Sequence, residues 1–177
     1  MIYLECKNDL LIRELASIFY QCDMPLTTNP DIDVFMKLSL EIFDRSISVK
    51  TDNDKFSLAI PIEVVEFNKQ IIQKCQNLVF QYKLMKYYPF KQLIIFKDKQ
   101  VVLRNTHNII FKSLLLNMNN KGINKKELYE KVWPNDKNLQ MNKLDTHLTN
   151  LKNYLYSDLD LSISILSKSN HTKLIID

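Results

Sequence analysis

The sequence predicts a mixed α/β or α+β protein made of two small domains, residues 1–88 and 89–177. Apolar patterns typical of strands and of helices alternate along the first half. The last third combines a capped helix, a second amphipathic helix and a closing β-hairpin. Charge is also uneven, with 10 Lys and Arg against 12 Asp and Glu in residues 1–90 and 14 against 8 in residues 91–177. The basic second half favours an anionic partner, although a nucleotide-biased genome would produce the same lysine and asparagine usage.

The first domain opens with a predicted strand from Ile2 to Glu5, followed by a helix from Asn8 to Tyr20 with apolar residues at helical spacing. Proline and asparagine signals at Pro25 and Asn29-Pro30 end this stretch. A second helix is then expected from about Asp31 to Phe43.

A β-hairpin is predicted next, because Ser46–Lys50 and Phe56–Ile60 flank the turn-forming segment Thr51-Asp52-Asn53-Asp54. Pro61 then opens a long predicted helix that extends to Pro89, with apolar residues three and four positions apart. A stripe of that length must be covered. The helix is therefore expected either to dock on the small domain along its length or to pair with a second copy of itself.

The second domain begins with another predicted hairpin, in which Leu93–Phe96 and Gln100–Leu103 flank Lys97-Asp98-Lys99. Asn124 and Glu127 have the spacing of a capping box, in which each side chain satisfies a backbone N–H at a helix start. A later helix carries an apolar stripe that must face the core, formed by Met141, Leu144, Leu148, Leu151 and Leu155. Trp133, at the end of the capped helix, is interpreted as a core residue.

Four segments of this domain follow one another in an order typical of a known family: Leu103–Leu115, Ile123–Trp133, Leu144–Lys152 and Leu161–Ile176. The second and third resemble the positioning helix and the recognition helix of the OmpR/PhoB family of bacterial winged-helix response regulators. The first is similar to the family's first effector helix, and the last fits its C-terminal wing hairpin. The resemblance covers roughly residues 92–177 and implies a winged helix-turn-helix domain.

This resemblance implies a bacterial transcription regulator that binds double-stranded DNA as a homodimer and that contacts RNA polymerase or another regulator. Asparagine can bond bidentately to adenine, and a threonine methyl group can contact the thymine methyl, so the recognition helix favours A·T-rich DNA. Lysines at the helix starts and in the wing are expected on phosphates. The predicted DNA contacts are Lys125, Lys126, Asn142, Lys143, Thr146, His147, Thr149, Asn150, Asn153, Lys168, His171 and Lys173.

The chain also departs from the family pattern. Asn142 and Asn150 stand where members of the family usually carry arginines, and Ser169, His171 and Thr172 replace the glycines and tyrosine typical of the wing. The family's base preference therefore does not transfer. The loss of arginines supports an alternative function, a winged helix that binds protein instead of DNA, and an asparagine-rich solvated face could also reflect genome bias alone.

The N-terminal segments Met1–Glu5, Asn8–Tyr20 and Ala59–Val65 are similar to the first strand, first helix and last strand-to-helix junction of a receiver domain. Cys6 and Lys7 stand where receivers carry acidic metal ligands, and Ile60 stands where their lysine precedes proline. The resemblance thus implies a shortened, degenerate receiver of the two-component type. Such a domain is expected to mediate dimerisation or partner binding without phosphoryl transfer.

Composition argues against other functional classes. The single glycine cannot supply a glycine-rich phosphate loop, and no nucleophile, base and oxyanion grouping can be assembled, so neither enzymatic activity nor a cofactor is expected. The three histidines and the three cysteines, Cys6, Cys22 and Cys75, lack metal-ligand spacing, so no metal is expected and the thiols are interpreted as reduced and mostly buried. The absence of a long apolar segment and of a signal-peptide pattern predicts a cytoplasmic protein with no membrane partner.

Overall fold

The computed structural model describes residues 2–21, 24, 26–30, 36–51, 55–119 and 121–176. The protein is a mixed α and β structure, as the sequence predicts. Its chain divides into two compact units, Met1–Phe80 and Gln81–Asp177. The boundary between the units, after residue 80, lies earlier in the chain than the one expected between residues 88 and 89. The reason is that the residues after Phe80 form strands of a sheet in the second unit.

The first unit contains a five-stranded sheet and two helices. Its elements are β1 (Ile2–Glu5), α1 (Asp9–Gln21), β2 (Leu26–Thr27), β3 (Met36–Phe43), β4 (Ser46–Thr51), β5 (Lys55–Ala59) and α2 (Val64–Cys75). The strand order is β2-β1-β3-β4-β5. Strand β1 runs parallel to both β2 and β3, whereas β3, β4 and β5 are joined as antiparallel neighbours.

The predicted first strand and first helix are confirmed. Helix α1 is capped by the side chain of Asn8, the residue that precedes it. Asn8 Oδ1 accepts a hydrogen bond from Leu11 N at 3.0 Å, which satisfies one of the unpaired donors at the helix start. Leu15 and Phe19 have no exposed surface and belong to the core. The apolar stripe of α1 therefore covers the sheet as its spacing predicts.

The predicted helix from Asp31 to Phe43 is wrong over the residues that can be compared. Residues 36–43 form strand β3, and residues 31–35 lie outside the described part of the chain. Leu38 and Leu40 are buried, Ser39 between them is partly exposed, and Lys37 and Glu41 on either side are exposed, which fits the period of two that a strand requires. Pairing with β1 on one side and β4 on the other decides the conformation, because this segment's apolar spacing fits either structure.

The hairpin predicted from Ser46 to Ile60 is confirmed, since β4 pairs antiparallel with β5 over Ser46↔Ala59 to Lys50↔Lys55. The expected turn at Asp52-Asn53-Asp54 lies outside the described residues. Of the predicted thiols, Cys6 is partly buried and Cys75 is buried, whereas Cys22 also lies outside the description.

The predicted long helix from Pro61 to Pro89 is confirmed over Val64–Cys75 and is wrong after it. Helix α2 begins at Val64, after a cis Ile60–Pro61 bond, and ends at Cys75. The remaining residues form β6 (Phe80–Tyr82) and β7 (Met85–Tyr88), joined through Lys83 at a φ of 51°. Met85 and Tyr87 have no exposed surface while Lys86 is exposed, so a period of two replaces the helical one here. No long apolar stripe remains to be covered by a second copy.

Strands β6 and β7 belong to a four-stranded sheet of the second unit, completed by β8 (Leu93–Phe96) and β9 (Lys99–Val102) in the order β6-β7-β8-β9. The β8–β9 hairpin is the one predicted from sequence, with its turn at Lys97 in the left-handed region at a φ of 56°. Helix α3 (Asn105–Leu116) follows. It is attached to the sheet by Tyr87, whose hydroxyl donates to buried Asn108 Oδ1 at 2.6 Å and whose ring meets that of Phe111 edge-on.

The chain ends with β10 (Ile123–Asn124), α4 (Lys125–Val132), α5 (Met141–Leu159), β11 (Ile163–Lys168) and β12 (His171–Ile176). The three strands form an antiparallel sheet in the order β10-β12-β11. Gly122, the single glycine, precedes β10 at a φ of 88°, and a Cβ there would lie 2.5 Å from Thr172 O. Only glycine fits this close approach of two backbones. Among the described residues, no helix has both the length and the apolarity needed to cross a membrane.

Candidate nucleic-acid interface

Helix α5 is held in the second unit by one leucine face. Leu144, Leu148, Leu151 and Leu155 of the predicted stripe are buried, Met141 is partly buried, and Leu159 extends the stripe by one turn. The helix ends at Asp160 in the left-handed conformation, where Leu161 N donates to Leu155 O at 3.2 Å. The burial of this face determines which residues of α5 remain exposed.

The opposite face of α5 is exposed and carries amide and hydroxyl side chains: Asn142, Thr146, Thr149, Asn150 and Asn153. Both threonine hydroxyls donate to the carbonyl four residues earlier, Thr146 to Asn142 O at 2.8 Å and Thr149 to Asp145 O at 2.9 Å. The hydroxyl protons are thus engaged within the helix. The asparagine amides are left as the donors and acceptors of this face.

The start of α4 is capped by one half of the expected capping box. Asn124 Oδ1 accepts from Lys126 N at 2.9 Å. Glu127 does not return the bond to the helix start, because its Oε1 accepts from Lys131 Nζ at 2.8 Å on the next turn. The reciprocal part of the prediction is therefore wrong, and an i,i+4 ion pair takes its place.

Two of the lysines predicted to bind DNA are paired with acidic side chains. Lys125 Nζ lies 2.7 Å from Asp145 Oδ1, which links the start of α4 to α5. Lys143 Nζ lies 3.2 Å from Asp136 Oδ2, in the segment between the two helices, and 4.2 Å from the centre of the Trp133 ring. Both positive charges are therefore largely neutralised. Lys126 is more exposed and makes only a long contact of 3.8 Å with Glu130.

Asp136 organises the segment between α4 and α5. Its carboxylate accepts from the hydroxyl of buried Tyr129 at 2.6 Å, from Asn138 N at 3.1 Å and from Lys143. The hydrogen bond from Tyr129 is the main reason that the pKa of Asp136 lies below its usual value, with those from Asn138 N and Lys143 adding to it. The carboxylate stays charged and keeps Lys143 in place.

The interpretation of Trp133 as a core residue holds in part. Trp133 is partly buried at the edge of the core, with its ring centre 4.7 Å from that of Tyr129 and 5.2 Å from that of His147. Tyr129, one helical turn earlier, has no exposed surface. Tyr129 therefore fills the core position near the end of α4, and Trp133 packs against His147 of α5.

His147 of α5, another predicted DNA contact, is partly buried between Trp133 and His107 of α3. The two histidine rings meet edge-on with their centres 5.9 Å apart. The Nδ1 atom of His147 is enclosed and has no hydrogen-bond partner in the structure. Burial lowers the pKa of His107, and the neighbouring charges of His147 and Arg104 lower it further.

A small pocket of about 280 Å³ opens beside these histidines, between the start of α3 and the exposed face of α5. Arg104, His107, Asn150 and Tyr154 line it. Sequence reasoning assigned only Asn150 to the interface. Arg104, His107 and Tyr154 were missed because they are separated from the recognition segment in sequence or lie beyond it, although the position of Arg104 directly before a helix was a signal.

The tip of the β11–β12 hairpin carries the remaining predicted contacts. Ser169 and Asn170 form the turn with φ values of 49° and 62°, and His171 Nδ1 lies 3.0 Å from Ser169 O. The carbonyl of Asn170 accepts from Lys125 N at 2.8 Å, which ties the turn to the start of α4. Lys168 is exposed and Lys173 partly exposed, and neither forms an ion pair within the described ranges.

Over the part of the chain that the structure describes, no three His, Cys, Asp or Glu side chains are grouped in a way that could hold a metal ion. No protein-family model and no curated protein matches the chain. Function is therefore inferred from the geometry of α3, α4, α5 and the terminal hairpin.

Proposed function

We propose that residues 81–177 form a winged helix-turn-helix domain that binds double-stranded DNA, and that the protein is a transcription regulator of the OmpR/PhoB type. The order α3, β10, α4, α5 and hairpin is the order that the sequence resemblance implies. In this reading α4 is the positioning helix, α5 the recognition helix and β11–β12 the wing. The cap on α4 and the leucine stripe of α5 agree with these assignments.

The observation that carries the proposal is the exposed amide face of α5. A recognition helix must offer polar side chains to base edges in the major groove while its other face stays in the core. Helix α5 has that division along nineteen residues. Net charge supports the same partner, because residues 81–177 contain 16 Lys and Arg against 8 Asp and Glu, a balance of +8.

Base reading is assigned to the start of α5, because the first residues of a recognition helix approach the base edges most closely. Asn142 lies in the first turn and is exposed. Its amide can bond bidentately to adenine, which favours A·T pairs. Asn150 lies two turns later, beside Arg104 and His107 in the small pocket, and has a different environment.

The first unit is proposed to act without phosphoryl transfer. The parallel order β2-β1-β3 agrees with the start of a doubly wound receiver sheet, but β4 and β5 run antiparallel. Cys6 and Lys7 follow β1 where a receiver needs carboxylates. Dimerisation, if DNA is bound by two copies, is assigned to this unit, since the long helix that offered another route does not exist.

One observation favours the alternative function, a winged helix that binds protein. Asp145 and Asp136 neutralise Lys125 and Lys143, so the base of α5 has less free positive charge than its sequence suggests. A surface of amides and paired charges would also suit a polar protein partner. Direct measurement of binding to DNA separates the two functions.

The test is selection of bound duplexes from a random DNA pool by the full chain, followed by fluorescence anisotropy on the selected site. We expect an A·T-containing site, and Asn142→Ala should change preference at one base pair by about 1–3 kcal/mol. Asn135→Ala, which removes an exposed amide outside α5, is the matched control. Failure to enrich any duplex would reject DNA binding, and an equal loss on all duplexes would reject base reading by Asn142.

A further inference from the structure

The pocket beside α5 consists of hydrogen-bond donors from two helices. Arg104 stands at the N-cap of α3 and His107 in its first turn, while Asn150 and Tyr154 lie on successive turns of α5. The Tyr154 hydroxyl also reaches Val102 O at 3.4 Å. Among the residues that the structure describes, no carboxylate lines the pocket. The set of a guanidinium, an imidazole, an amide and a phenol suits a small oxyanion.

The electrostatic environment also favours an anion. The pocket lies beside the N-terminal end of the twelve-residue helix α3, where unpaired N–H groups and the helix dipole place partial positive charge. The guanidinium of Arg104 is exposed and forms no ion pair within the described ranges. Arginine offers paired donors that match a phosphate group.

The environment of His107 disfavours the charged form of its imidazole, which lowers its pKa. The groups that face it are Arg104 from the start of α3, together with His147 and Tyr154 from α5. Burial lowers its pKa most, and the two basic neighbours act in the same direction. Lys143 lies beyond the Trp133 ring and is paired with Asp136. An anion that enters the pocket would favour the charged imidazole through its opposite charge.

We propose that this pocket binds a phosphate of the DNA backbone and that His107 takes up one proton from solvent as the phosphate enters. The inference rests on the proposed function, because it takes the phosphate to be that of DNA. The proton bound to the imidazole ring supplies a second charged donor beside Arg104. Binding of DNA and binding of a proton are then linked in one site.

The linkage has a definite sign. Since DNA binding takes up a proton, affinity must rise as pH falls, by at most about tenfold per pH unit for a single proton. As pH falls, the affinity begins to rise near the pKa of His107 in the DNA-bound state. It stops rising below the pKa of His107 in the unbound state, which lies under its ordinary value of 6.5. Above this window the affinity is constant.

The test measures affinity for a labelled duplex by anisotropy between about pH 5.5 and 8 at fixed ionic strength, on the full chain, with circular dichroism to confirm folding at each pH. The wild type should bind several-fold more tightly at the acidic end. His107→Gln should remove most of this dependence, whereas Asn135→Ala, an exposed residue outside the pocket, should keep it. The inference is overturned if wild-type affinity is independent of pH, or if His107→Gln keeps the dependence.

A second measurement separates failure of the pocket from failure of the proposed function. The imidazole of His107 is titrated by NMR in the full chain with and without inorganic phosphate, with Arg104→Ala as the control variant. A saturable increase in the pKa of His107 that Arg104→Ala abolishes supports the pocket even if no duplex binds. No change in the pKa with phosphate, together with no pH dependence of DNA binding, rejects it.

Discussion

The exposed face of α5 and the tip of the β11–β12 hairpin differ in how their lysines are held. Lys143 of α5 is paired with Asp136 and lies against Trp133, and Lys125 beside it is paired with Asp145. Lys168 and Lys173 of the hairpin have no ion-pair partner within the described residues. Lysine charge is therefore neutralised at the start of α5, where Asn142 can read bases, and left unpaired at the hairpin, where phosphates would be met. Specificity and salt-dependent affinity are expected to come from different parts of the domain.

The largest effect should follow loss of the contact that fixes the α5 face. Leu151→Ala removes a fully buried side chain from the stripe, and its cost should be roughly 2–5 kcal/mol of unfolding free energy. Leu166→Ala removes the same side chain from the hairpin, where it is 55% exposed, and should change stability by less than about 0.5 kcal/mol. Urea unfolding followed by fluorescence of Trp133, the single tryptophan, reports on this unit. Equal losses would mean that α5 is not anchored by its stripe.

A smaller loss of unfolding free energy is expected at Gly122, where β10 pairs with the terminal hairpin. Gly122→Ala adds a Cβ 2.5 Å from Thr172 O at a residue with a φ of 88°, so β10 must move away from β12. The strain and the displaced pairing should cost about 2–3 kcal/mol. Lys121→Ala, at the exposed neighbouring residue, serves as the control in the same urea experiment. A Gly122→Ala protein as stable as this control would show that the hairpin tolerates a looser attachment.

The smallest effect is expected on the salt dependence of DNA affinity, and it tests the difference between the lysines of α5 and those of the hairpin. Lys168→Ala should flatten the slope of log affinity against log salt by about 0.9, the value for one phosphate contact. Lys143→Ala should change the slope much less, because Asp136 already neutralises that charge. Both slopes are measured by anisotropy on one duplex over a series of salt concentrations. A loss for Lys143→Ala as large as that for Lys168→Ala would indicate that the Asp136 pair opens on DNA.

Sequence reasoning succeeded where local signals agreed with each other. The stripe of α5 repeats over several turns, Asn124 provides a cap at the start of α4, and turn residues separate β8 from β9 and β11 from β12. Within these segments the apolar residues repeat at helical or at strand spacing often enough to exclude the other type of element. The polar face of the candidate interface was predicted from the same pattern, because fixing one side of a helix fixes the other.

It failed where apolar residues were dense enough to fit two periods. Residues 36–43 and 80–88 carry apolar side chains at spacings that suit a helix, yet both regions form strands. Hydrogen bonds to neighbouring strands decided these regions, and such partners are distant in sequence. For this reason Met85 and Tyr87 belong to the second unit. The boundary between the two units therefore lies earlier in the chain than the sequence predicts.

By itself, the sequence determined the leucine stripe, the cap and the turns of the C-terminal domain, because these depend on contacts within a few residues. Only the tertiary structure decided that Lys125 and Lys143 are neutralised, and that His107 and Arg104 stand beside Asn150 of α5. These relations join residues that are distant along the chain or on different elements. Their energies depend on distance and burial, which a one-dimensional pattern does not contain.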